Sequence, residues 1–511
     1  MNPKILSGYK NKQNFFLRIF SSIYVDNSLY ILTLFSLTSL FLTFEFAWQF
    51  KYALVFLLLI WLILQTKIKN AFISFFLMTL YTLPFSNPGK TNSVLAIPSY
   101  KLLDNVGEDY FLGYGLRLSN IFIFFTLICL FREVILNKEK IVPIFKKTKN
   151  TIVVFSSMVF LGIGLIGSLF YSPFPEASLV WLFQYMQLFL MAFFVVYFFV
   201  NYKNKFNLLF TLIAFTIILQ SLISFGQFSR QSSLGLPFEI SRVSSVYYAN
   251  IDEANTTYRV AGTFHYHNQL ALVILLLITF LSPKALKENK PIYFVPLFLG
   301  MVTIILTQSR TVWLSTGLLM YILYLNYKNE LKRVVDLIGI KKIIGLFLII
   351  LIGLSYVIFP RLILSTYVFH ENAGLSFRSK MFGEAIEAIT FNPYFGYGAG
   401  TNEYVLISLF PNGVISTFPS AVHMAFLQLI LEVGLLGTFF FFFPFFLILR
   451  DTFVNKINYV KNQEAKNYTF IFKMGIITFV IYYLFQPHVG TVEFAYLGII
   501  LGLGLNREFL R

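Results

Sequence analysis

Apolar runs long enough to cross a bilayer, roughly 17–25 residues each, recur along the whole of this 511-residue chain. In lipid such a run must satisfy its own backbone hydrogen bonds, so each is expected to be helical. The chain is 57% apolar and only 12% charged, which leaves too little polar surface for a large soluble domain. The sequence therefore predicts an all-α, polytopic integral membrane protein. About fourteen spans (12–14) are read, at 29–46, 52–66, 71–86, 118–136, 151–171, 178–200, 207–226, 268–282, 291–308, 312–327, 343–359, 422–447, 469–486 and 490–505.

Met1–Asp26 is basic and mixed and is not read as a cleavable signal. With the N-terminus and C-terminus inside, 29 of the 40 Lys and Arg fall on the inner side and 11 on the outer. Cationic inner loops are what membrane insertion requires. The net charge of +17 is thus a topological signal. Dispersed over many short loops, it is not a nucleic-acid footprint. Residues 1–28 form a basic cytoplasmic N-terminus and 29–359 carry spans one to eleven. Residues 360–421 form a large, partly helical outer loop, and 422–511 carry the last three spans with a short C-terminus. The single cysteine, Cys129, excludes an internal disulfide.

The kind of cation also changes with side. On this assignment 23 Lys and 6 Arg lie inside, against 4 Lys and 7 Arg outside. Topology needs only positive charge, so it does not explain a switch to arginine. The planar, multi-donor guanidinium suits phosphate recognition. All five histidines (His265, His267, His370, His423 and His488) also fall outside. The outer face is accordingly expected to handle an anionic substrate.

Three outer segments exceed a turn, at about 87–117, 227–267 and 360–421, and loops of that length commonly carry function. In the third, Ser376 is expected to cap a helix reaching Phe391, with Phe377, Met381, Ala385 and Ile389 on one side. Asn392-Pro393 stops that helix, and Gly396, Gly398 and Gly400 permit a tight turn. Arg259 lies just before a span, and Arg378 opens the loop helix. Arg310 is caught between two spans joined by almost nothing. The plain alternatives are snorkelling to lipid phosphates for Arg310 and solvated loop charges for Arg259 and Arg378. The segment SAVHMAFLQLILEVGLLG carries three polar groups: His423 at its outer mouth, and Gln428 and Glu432 one turn apart on one face. Nine residues separate His423 from Glu432, which rules out a local His–carboxylate pair. Glu432 and Gln428 are expected to bond neighbouring helices, with Gly434 and Gly437 allowing close approach.

Four pieces in order resemble the O-antigen ligase and O-antigen polymerase superfamily, C-type glycosyltransferases of the bacterial inner membrane. They are Arg259-Val-Ala-Gly262-Thr-Phe264 with His267-Asn268, Ser309-Arg310 before Trp313, Arg378 with Asn392-Pro393-Tyr-Phe-Gly396-Tyr-Gly398-Ala-Gly400, and His423 with Glu432-Val-Gly434. The resemblance covers about 258–437. His267 stands where a proline is usual, and Thr311 where a glycine is usual.

The resemblance implies a donor glycan on undecaprenyl diphosphate, transferred at the periplasmic face to an acceptor hydroxyl on the lipopolysaccharide core or on a growing glycan. It implies His423 as the base and Arg310 as the catalytic cation, with Arg259, Arg378, His267 and Asn268 contacting diphosphate or glycan. Gln428, Glu432, Gly396 and Gly398 remain structural. No cofactor is expected, and no metal: the acidic pairs Glu108-Asp109 and Asp252-Glu253 are adjacent rather than of the Asp-x-Asp kind. The partners implied are the lipid-linked donor, the glycan acceptor and membrane lipids, without nucleic acid. The alternatives are a polymerase or protein glycosyltransferase of the same superfamily and, from another class, a flippase for lipid-linked oligosaccharide.

Overall fold

A computed structural model describes residues 28–41, 50–85, 118–136, 148–236, 248–249, 257–264, 266–288, 291–338, 355, 374–417, 422–454, 463–486 and 491–506. The basic N-terminus, the eleventh expected span apart from Ser355, and His265, His370 and His488 lie outside the described residues.

The described chain is helical except for one antiparallel pair, β1 (Tyr248–Ala249) with β2 (Thr257–Tyr258). The first helices are α1 (Ser28–Phe41), α2 (Phe50–Ile68), α3 (Ala71–Thr82), α4 (Leu118–Leu136), α5 (Thr148–Ile166), α6 (Pro175–Asn201) and α7 (Phe206–Arg230). They are followed by α8 (His267–Glu288), α9 (Pro291–Leu306) and α10 (Arg310–Ile338). The outer-loop helices are α11 (Gly374–Phe391), α12 (Asn402–Leu409) and α13 (Val414–Thr417). Last come α14 (Ala425–Val454), α15 (Gln463–Phe485) and α16 (Thr491–Asn506).

Among the described residues seven helices are long and apolar enough to cross a bilayer: α4 to α8, α14 and α15. Four shorter apolar helices accompany them. The molecule is a multi-pass helical membrane protein.

Local sequence explains the helix ends. Asn70 caps α3 by accepting from the Ile73 amide at 2.9 Å. Pro175 occupies the first turn of α6 with Glu176 beside it, where proline lacks only a bond the helix would not make. At the end of α7, Gln231 turns into the left-handed region at φ 52°.

The packing has a clear centre. Helix α8 is buried almost throughout its length. Helix α16 lies against α6 so closely that a Cβ at Gly498 would stand 2.2 Å from the Leu188 carbonyl oxygen. Small residues spaced four apart, here Gly498 and Gly502, allow such backbone approach in lipid. One apolar core joins the bundle helices. A second, smaller core lies under the outer loop and includes Met381, Ala385, Leu406 and Val422.

The loop helix differs from expectation at its start. Helix α11 begins at Gly374, so Ser376 lies inside it and is not its cap. Three residues of its expected face pack together, with Met381 and Ala385 fully buried and Ile389 against the same core, while the Phe377 side chain lies outside the described residues.

Candidate functional site

The site forms where the ends of α7, α8, α10, α14 and α15 meet the loop carrying α11 and α12. Arg259 is placed by a ladder of glutamines on α7. Gln231 Oε1 accepts from the Tyr258 amide at 3.0 Å. Gln227 Oε1 accepts from the amides of Ala261 (3.2 Å) and Gly262 (2.9 Å), and its Nε2 donates to the Gly262 carbonyl at 2.9 Å. Gln220 holds Thr263 in the same way. Side-chain amides thus stand in for a sheet, and the strapped segment presents Arg259 to the α9–α10 turn. There the guanidinium donates to the carbonyls of Thr307 (3.3 Å) and Gln308 (3.4 Å).

That turn is tight because Gln308 adopts φ 56°, and α10 restarts at once with Arg310 as its first residue. A helix N-terminus already carries partial positive charge, so a cation there is unfavourable until an anion arrives. Arg378, on α11, is brought into the same field. Burial, and after it the charge of Arg310, pulls the Arg378 guanidinium below its usual pKa, and burial does the same to Arg310. Guanidinium is the most basic of the side chains, so both are cations at neutral pH. Two like charges held together in a partly buried place favour an anionic ligand between them.

His423 lies in the lead-in to α14 and not in the helix itself, which starts at Ala425. Its backbone N–H donates to the Met381 sulfur at 3.4 Å, one turn beyond Arg378. Arg259, Arg310, Arg378 and His423 are therefore gathered into one neighbourhood.

His267 opens α8 and is buried. Its neighbour Asn268 commits its amide to Gln486 Oε1 at 2.9 Å. Gln486 in turn accepts from the Ala425 amide at 3.1 Å through its own carbonyl. Gln486 thus joins α8, α14 and α15 two residues from His423.

The segment that carries Gln428 and Glu432 is not the continuous stalk that its apolar sequence suggests. Helix α14 breaks at Gly434, which adopts φ 70° and ψ 175°, and the glycine-rich loop enters the break. The freed carbonyls of Leu431 and Glu432 accept from the amides of Tyr397 (2.9 Å) and Gly398 (2.8 Å), while the Leu435 amide donates to Pro393 at 2.8 Å. Gly434 therefore admits a loop, not a neighbouring helix. A Cβ there would stand 2.1 Å from the Tyr394 oxygen. Gly396 and Gly398 share the constraint, each at positive φ and each pressed against α14 or the start of α6.

Glu432 lies at the centre of this joint, with no exposure. Its Oε2 accepts from the Tyr185 hydroxyl and from the Gly400 amide (2.8 Å). Its Oε1 accepts from Asn402 Nδ2 (2.6 Å) and from Gln428 Nε2 (3.2 Å). The Gln428 bond to Glu432 falls within their shared helix. Glu403, the next residue after Asn402, is partly exposed. Burial, then the charge of Glu432, pushes its carboxyl up to about 7.

Residues 295–442, from α9 into α14, match the family model described as O-antigen ligase. Arg310, Arg378, the glycine-rich loop, His423 and Glu432 lie within the match, and Arg259, His267 and Asn268 precede it. No curated protein matches the chain. The segment that brings two arginines toward one histidine is thus the part of the chain that is similar to the O-antigen ligase family.

Proposed function

We propose that the protein is a metal-independent, inverting glycosyltransferase of the O-antigen ligase kind, acting at the periplasmic face of the bacterial inner membrane. Its donor is a glycan on undecaprenyl diphosphate, and its acceptor is a hydroxyl of the lipid A-core. The observation that carries this reading is the contact of the His423 amide with Met381 on the loop helix, one turn beyond Arg378, with Arg310 near enough for its charge to lower the Arg378 pKa.

The chemistry follows from charge. The acceptor oxygen attacks the anomeric carbon as the bond from that carbon to the diphosphate oxygen breaks. The bonding pair leaves with the lipid diphosphate, where Arg310 and Arg378 meet the growing negative charge. Arg259 holds the turn on which Arg310 stands. Losing one preorganised donor of this type costs about 10²–10³ in rate. The hydroxyl proton passes to the imidazole of His423, whose ordinary pKa near 6.5 suits a base at neutral pH. One displacement inverts the anomeric centre.

Deletion of the gene, followed by gel analysis of surface glycans, tests the reading. Loss of all capped lipopolysaccharide supports the ligase. Caps of one repeat indicate a polymerase instead. Unchanged glycans, with purified protein that moves lipid-linked sugar across a bilayer without joining it to an acceptor, would show a flippase.

A further inference from the structure

The two sides of the proposed site belong to different parts of the chain. Arg378 is on the outer loop, and His423 is on the lead-in to a bundle helix. The two parts meet where the His423 backbone N–H makes a weak hydrogen bond to the side-chain sulfur of Met381. Weak contacts do not hold reacting groups to the fraction of an ångström that catalysis needs, so a stiffer brace is required nearby.

Asn402 has the geometry of that brace. It is the first residue of α12 and is buried, 3% exposed. Its Nδ2 donates to Glu432 Oε1 at 2.6 Å, and its Oδ1 accepts from the Val422 amide at 3.3 Å. Val422, itself fully buried, immediately precedes His423. One side-chain amide therefore joins a buried carboxylate in α14 to the backbone one residue before the imidazole. The carboxylate is fixed from the other side by Tyr185 on α6 and by the Gly400 amide. An amide is the side chain that suits this place, because the bridge needs a donor at one end and an acceptor at the other.

We propose that Asn402 is a positioning residue, which ties Glu432 to the backbone leading into His423 and so sets the imidazole against Arg378. This rests on the roles given above to His423 and Arg378. It also gives Glu432 a function in the reaction beyond packing. The carboxylate anchors the brace, and the break at Gly434 lets the glycine-rich loop deliver Gly400 and Asn402 to it.

Exchanging the amide for a carboxyl tests the brace. In Asn402→Asp the ionised side chain meets the Glu432 carboxylate and repels it. The protonated side chain donates to Glu432 and accepts from Val422, as asparagine does. The other titratable groups around the bridge are Tyr185 on α6, Glu403 on α12 and His423 itself, and all three are kept in the variant. Comparing variant with wild type at each pH therefore isolates the new carboxyl.

The experiment uses full-length protein in proteoliposomes with a lipid-linked glycan donor. The proposal expects the ratio of variant to wild-type kcat to fall about 10²-fold at pH 8 and to recover toward one as pH falls to about 5. Donor KM and membrane level should stay unchanged. A ratio independent of pH, or a loss confined to KM, overturns it. Hydrogen exchange of the Val422 and Gly400 amides in Asn402→Ala is the second measurement, and it needs no activity. Faster exchange at Val422 supports the brace, and unchanged exchange overturns it. Wild-type protein that transfers no glycan would defeat the functional reading alone, and the exchange result would still decide the bridge.

Discussion

The peptide N–H of His423 rests on the sulfur of Met381 at 3.4 Å, and Met381 stands three residues beyond Arg378 on the same loop helix. This contact brings His423 to the loop helix that carries Arg378, although 45 residues separate the two in sequence. Met381 is fully buried. Met381→Ala should destabilise the outer loop by about 2–5 kcal/mol, whereas Met381→Leu should cost less than about 1.5 kcal/mol. Thermal unfolding of the two variants in one detergent, together with their transfer rates, checks the difference.

The arginine pair makes a prediction about chemical type. Arg378→Lys keeps the charge but loses the planar, multi-donor fork. It should recover little of the roughly 10²–10³-fold loss expected of Arg378→Ala. Single-turnover transfer by both variants decides it, and lysine as good as arginine would reduce the site to a point charge.

The broken helix makes a prediction about fold. At Gly434 an alanine must adopt φ 70° and place its Cβ 2.1 Å from a carbonyl oxygen. Gly434→Ala should expel the glycine-rich loop from α14 and expose it to protease. A Cβ at Gly317 meets nothing within 4 Å, so Gly317→Ala should leave the cleavage pattern unchanged.

Glu403 makes a prediction about pH. Its folded carboxyl is raised to about 7, so between the ordinary carboxylate range and 7 the folded loop binds more protons than the unfolded one. By linkage, that contribution is fully present at acidic pH and is lost as pH rises through 7. Docking of the loop should therefore weaken from about pH 5 to pH 7, and Glu403→Gln should flatten the dependence. Hydrogen exchange of the Tyr397 and Gly398 amides across this range measures it.

Much of the fold was legible because lipid leaves a long apolar run only one backbone solution. Helix α4 occupies the same 118–136 that its hydropathy marked. The place of Arg310 beside a tight turn was legible too, because two apolar runs with almost no link between them leave room for nothing longer. The break at Gly434 was not. A glycine in an apolar helix reads as a point of close approach, and its positive φ depends on a loop some forty residues earlier in the chain. Asn402 was equally hidden, since a polar residue in a loop has no period to betray its partners. The glutamines of α7 did leave a signal. Gln220 and Gln227 recur at a spacing of seven, which puts them on one face of the helix, and Gln231 follows four residues on as its cap. Polar groups so aligned in an apolar helix need a common partner, and that partner is the segment holding Arg259.

The central claim is that the gathered arginines stabilise a departing lipid diphosphate. Single-turnover transfer from a lipid-linked glycan in proteoliposomes tests it most directly, comparing wild type with Arg310→Ala. Arg310→Ala should lower the rate of glycan transfer about 10²–10³-fold, with donor binding retained within several-fold and membrane level unchanged. Transfer by Arg310→Ala at the wild-type rate would contradict it.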